Sequence, residues 1–86
     1  MATTAYDLSA DWTAANRYTA NGETDVILSN TSGRVVNWVL TNSNATPALS
    51  AAQGHPLLPY QSRAMKMLDG ERLWICGAAA SASLGV

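Results

Sequence analysis

One histidine and one cysteine are the residues best equipped for catalysis in this 86-residue chain. His55 stands in Gly54-His55-Pro56, where general-base or metal work would require partners that the neighbouring sequence does not supply. Cys76 ends the apolar run Leu73-Trp74-Ile75-Cys76, with no adjacent basic group to lower its pKa, and reads as a small buried hydrophobe. The carboxylates Asp7, Asp11, Glu23, Asp25, Asp69 and Glu71 fall near turns and strand ends, as solvated acids do. Glu23 and Asp25 have the spacing to share a cation, but that pattern is common and unspecific. Asn30-Thr31-Ser32 and Asn44-Ala45-Thr46 match the glycosylation sequon in Asn/Thr-rich loops. Trp12, Trp38 and Trp74 could stack on sugars, although Trp38 and Trp74 sit inside apolar runs that suit a core or a subunit contact. No catalytic constellation emerges, so the expectation is a non-enzymatic protein without cofactor or metal.

The composition narrows the field further. Ala supplies 15 of the 41 apolar residues, so the core that one copy can build is small. Small chains in that position recruit disulfides, a metal or a neighbour. A single cysteine excludes an internal disulfide, which leaves association, and a homo-oligomer is expected. Charged residues are 13% of the chain and net charge is −1. The usual charged share is about 25%, and so little charge suits a protein that ends in an assembly. The basic residues Arg17, Arg34, Arg63, Lys66 and Arg72 are scattered, against nucleic-acid binding. No run approaches the ~18 apolar residues of a membrane span. Met1-Ala2-Thr3-Thr4-Ala5 lacks the basic start and apolar run of a secretory leader, so the chain is expected to stay in the cytoplasm where it is made.

Residue patterning predicts strands throughout. Tyr6, Leu8, Ala10 and Trp12 alternate with Asp7, Ser9 and Asp11, the period of a half-buried strand. Residues 1–22 are read as an N-terminal arm or first strand able to lie on a neighbouring subunit, and 23–86 as one domain. A short helix starting at Ser9 or Asp11 and running through Ala14, Ala15 and Arg17 is the competing reading. Two apolar runs within Asp25–Thr41, joined by Asn30–Gly33, read as a β-hairpin. Its second strand has an unbroken apolar face of Val36, Trp38 and Leu40, while Ile27 and Val39 make the opposite faces partly apolar too. That second side needs cover from another sheet or subunit. Residues 42–59 form a long loop with all three prolines, fastened by Leu49, Leu57 and Leu58. Ser62–Leu68 puts Arg63, Met65 and Met67 on one side. Asp69-Gly70 then turns into Leu73–Cys76 as a second hairpin. The C-terminal run alternates Ala80, Ala82, Leu84 and Val86 with small polar residues, a last strand. Five to six short strands at this spacing predict an all-β protein: a small antiparallel β-sandwich or barrel, with a jelly roll one option, and an extended N-terminal segment.

The order of these features resembles small virion proteins of tailed bacteriophages and prophages, of the head-decoration, cement or tail-accessory kind. The likeness covers roughly residues 24–86. It rests on the Val26–Leu40 pair, on Gly54-His55-Pro56-Leu57 and Pro59-Tyr60-Gln61-Ser62, on Gly70-Glu71-Arg72-Leu73-Trp74, and on the Ala/Ser-rich C-terminus. The resemblance implies a β-sandwich that assembles into trimers or other symmetric oligomers and stabilises a capsid or tail. The expectation is therefore a capsid decoration protein, made in a bacterial host and residing in the virion, whose partner is the major capsid protein or another virion protein. Tyr6, Leu8 and Trp12 of the arm and the loop His55, Pro56, Leu57 and Leu58 are the expected contacts. The alternative is a tail- or fibre-associated module, or a carbohydrate-binding one with Trp12 as its platform.

Overall fold

The computed structural model describes residues 2–86. Eight strands run in order: β1 (Thr3–Asp7), β2 (Arg17–Thr19), β3 (Thr24–Asn30), β4 (Val36–Thr41), β5 (His55–Leu57), β6 (Ser62–Met67), β7 (Arg72–Cys76) and β8 (Ser81–Gly85). Two short 3-10 turns, Ala14–Asn16 and Ala51–Gln53, are the only helical segments among the described residues. The strands form two four-stranded sheets, ordered β1-β8-β3-β6 and β2-β7-β4-β5. All the pairings are antiparallel. The fold is an all-β sandwich, and its strand order is that of a jelly roll.

The order follows from nested pairing. β1 pairs with β8, β2 with β7, β3 with β6 and β4 with β5. The whole chain is thus one long hairpin whose tip is the loop between β4 and β5. Rolling it up adds the pairs β3·β8 and β4·β7 and separates the two sheets. Only the β4–β5 connection stays within a sheet; every other one crosses between sheets.

Both expected hairpins are therefore arches. β3 and β4 lie in different sheets, as do β6 and β7, and face each other across the core. The apolar faces come out as the alternation requires, because arch and hairpin ask for the same pattern. Val26 and Leu28 look across at Val36 and Trp38 within one main cluster, with Leu73 and Leu84 among its other members. Burial of these side chains, each contributing about 1.5–3 kcal/mol, supplies most of the favourable energy.

The second sheet has apolar residues on its outer face as well. Along β7, Leu73 and Ile75 join the main core, while Trp74 and Cys76 join a separate cluster with Trp12. Val39, Leu49 and Ala51 pack on that cluster. Its cover comes from the β1–β2 connection and the long loop after β4, both parts of this chain. The molecular surface is 4704 Å². A folded monomer of 9.1 kDa exposes about 4,900 Å². The chain's own loops cover the outer apolar face of the second sheet, while on the first sheet Ile27 stays exposed.

The N-terminal residues belong inside this arrangement. β1 pairs with β8 from Thr3↔Gly85 to Asp7↔Ser81, and Ala2 exchanges both backbone hydrogen bonds with Val86. β2 lies on the edge of the second sheet beside β7. The expected arm is thus built into the sandwich as an edge strand of each sheet, and the expected alternation stops at Asp7, where β1 ends. The short helix weighed against it reduces to the Ala14–Asn16 turn.

Candidate functional site

Four connections meet at one end of the sandwich. The Thr31 N–H donates to the Ser81 carbonyl, Gly77 N–H to Ser9, and Asn30 N–H to Gln61. The side chain of buried Asn30 then clamps two of them together. Its Nδ2 donates to the carbonyls of Arg34, Leu57 and Leu58, and its Oδ1 accepts from the Ser32 N–H and hydroxyl. A buried amide with its bonds so filled holds the β3–β4 and β5–β6 connections in one arrangement.

Those two connections present Val35, Leu58 and Tyr60 to solvent, with Tyr60 74% exposed. Tyr60 has φ 61°. That region costs a non-glycine residue roughly 1–2 kcal/mol. The turn explains how it arises. Gln61 N–H donates to the Leu58 carbonyl, while the Gln61 side chain accepts from the Leu58 N–H. Leu68-Asp69-Gly70-Glu71 is built identically, with Glu71 in the place of Gln61 and Gly70 at φ 82° in the place of Tyr60. Glycine is the unstrained choice at that position, and one of the two turns carries an exposed aromatic there instead. Together the three side chains form a fixed apolar crown.

A second cluster lies between the edges of the two sheets. Trp38 on β4 is opposite His55 on β5, with ring centroids 4.6 Å apart. From β6 the Arg63 guanidinium carbon sits 5.3 Å from the centre of the same indole. Trp38 is only 8% exposed, and its indole nitrogen is buried without a hydrogen-bond partner.

The expected contact residues divide. Leu8, Trp12 and Leu57 are buried within the chain, and Tyr6 packs partly buried on the main core. His55, Pro56 and Leu58 are exposed. Trp12 is no sugar platform: it is buried and its indole N–H donates to the Leu49 carbonyl at 3.0 Å. A Cβ at Gly54 would sit 2.9 Å from the same ring, so the long loop closes down on it. The structure adds Val35, Tyr60, Trp38 and Arg63 to the surface and cluster that matter.

The remaining candidates fall into the scaffold. Cys76 is fully buried, and burial first, then the nearby Asp11 charge, pushes its thiol up to about 11. Burial and then Tyr18 likewise raise Tyr6 above the usual phenol value. Glu23 pairs with Lys66 at 3.0 Å, with both side chains largely solvated. The Asn30 sequon is buried in its own hydrogen bonds, and Asn44 accepts from Arg72. Among the described residues no three His, Cys, Asp or Glu side chains gather as a metal site would need. Comparison with protein-family models, curated proteins and solved structures finds no match for this chain.

Proposed function

We propose that this chain is a non-enzymatic structural subunit of a virion, of the capsid-decoration kind, that works by seating its crown on a neighbouring subunit. The observation that carries the reading is Tyr60. A largely exposed aromatic stands at a left-handed position where glycine would be unstrained, and tyrosine is among the residues that dominate protein interfaces. Asn30 fixes Leu58 and Val35 beside it in advance, so little side-chain and loop entropy remains to be lost on docking. Support for a virion setting comes from the sequence resemblance and from the jelly-roll order, which capsid domains share with lectins. Fold likeness on its own assigns no function.

In this reading the chain stabilises a shell mechanically. Apolar area buried at each contact favours the closed assembly over its separated parts. Self-association, with a trimer favoured by the resemblance, places several crowns on the shell at once and multiplies the hold. Mass spectrometry of purified particles from the source of this sequence is expected to find the chain. Tyr60→Asn keeps the left-handed turn and removes the ring, so it is expected to leave thermal stability unchanged and to reduce particle occupancy at least tenfold. Particles without the chain, or full occupancy by the variant, would overturn the proposal.

A further inference from the structure

We infer that Trp38, His55 and Arg63 form a binding site for a carboxylate, distinct from the crown. Two exposed donor side chains without a protein acceptor lie against the ring of a tryptophan whose own N–H is unpaired. The Trp38 indole N–H is buried and unpaired. The Arg63 guanidinium lies against the indole and His55 stacks on it, and neither side chain takes part in any hydrogen bond or ion pair among the described residues. An orphaned donor is rare in a folded interior, because a lost partner is costly, and a bound acceptor is one thing that accounts for it.

The other indoles show that the fold can provide acceptors. Trp12 donates to Leu49 and Trp74 to Thr41 Oγ1. Trp38 alone of the three tryptophans is left open. The ligand class follows from the charges. Arg63 supplies one formal positive charge, and Lys66 on the same strand is already paired with Glu23. One permanent cation at the site matches a monoanion better than a phosphate dianion. A planar carboxylate also matches the guanidinium fork. Entry needs only side-chain movement. His55 and Arg63 are exposed and stand on the edge strands β5 and β6. Binding requires both side chains to turn from the ring toward a carboxylate that reaches the indole N–H.

The test follows the three indole N–H signals of the full chain by NMR during titration. Sodium acetate probes a free carboxylate, and an acetylated glutamate peptide probes a protein one. Sodium chloride at matched ionic strength and neutral methyl acetate are the controls. The Trp38 signal is expected to shift saturably with acetate, with the peptide or with both, while those of Trp12 and Trp74 stay in place. Saturation by acetate assigns a small-molecule source, and saturation by the peptide alone assigns a protein partner. Arg63→Gln is expected to weaken binding at least tenfold, with Arg63→Lys between it and the parent. No shift at Trp38, equal shifts at all three indoles, the same response to chloride or methyl acetate, or unchanged binding by Arg63→Gln would each overturn the inference. The crown residues take no part in the readout, so a failure at Tyr60 leaves this result standing.

Discussion

Two tryptophans of the second sheet each carry an arginine against the ring, and their surroundings differ. Arg17 lies 5.1 Å from the Trp74 ring, and Arg63 lies 5.3 Å from the Trp38 ring. Around Trp74 each donor side chain has a partner. The indole N–H donates to Thr41 Oγ1 at 2.8 Å, Arg17 donates to the Asn44 carbonyl, and Arg72 binds Asn42, Asn44 and Gly70. Trp38 has comparable burial and a cation at comparable range, yet its N–H meets nothing. The same pair of residue types therefore builds a closed scaffold in one place and leaves open donors in the other. The difference lies in what covers each ring. Thr41 of β4 and the carbonyls of the following loop meet the donors around Trp74, whereas the exposed side chains of His55 and Arg63 lie against Trp38 and bring no acceptor to its N–H.

The largest effect is expected at the closed pair. Trp74→Ala removes the centre of the outer cluster, and its loss should cost about 3–5 kcal/mol. At 4–8 °C per kcal/mol for a domain of this size, that lowers the melting temperature by roughly 12–40 °C. Calorimetry that finds a drop below ~5 °C would break the view that this cluster holds the long loop down.

Alkaline pH probes the same region more gently, through Cys76 beside Trp74. Burial and then the Asp11 charge raise its folded pKa from the ordinary 9.0 to about 11. Between those values the unfolded chain gives up the proton first, so the native state holds more protons and stability falls as pH rises. The contribution is fully present below pH 9 and is lost as pH passes 11, amounting to about 2–3 kcal/mol at most. Denaturation midpoints measured from pH 8 to 11 should fall in the parent and fall less in Cys76→Ala. Parallel curves would show that the region is not sealed.

How legible these regions were in the sequence depends on range. Alternation along Val36, Trp38 and Leu40, and along Ala80 to Val86, identified the buried faces because a strand's period is local. It could not distinguish hairpin from arch, since both strands of either present one apolar face. Asn30 decides between them by holding carbonyls from 27 and 28 residues away, and no short window contains that information. Its Asn-Thr-Ser setting, with Ser32 bonding back to it, was the available local sign of an Asx turn. The same limit applies to the N-terminal stretch: its first strand is legible from local alternation, but the partner of Trp12 is 37 residues on, in the long proline-containing loop. Two signals were in plain view. Leu58-Pro59-Tyr60-Gln61 has the layout of Leu68-Asp69-Gly70-Glu71 with Tyr in the glycine position. Arg63 shares a strand face with Met65 and Met67, where a charge needs a reason.

The smallest expected effect is the most informative, because it compares the two indoles directly. Phenylalanine keeps most of each ring and deletes the N–H. Trp74→Phe strips the Thr41 hydroxyl of its donor and should cost about 1 kcal/mol through that bond alone. Trp38→Phe deletes a donor that bonds to nothing, so its bond-related cost should be near zero. Urea denaturation of both variants, without added carboxylate, is the measurement. The account expects Trp74→Phe to be the less stable by about 1 kcal/mol, and equal losses or the reverse order would contradict it.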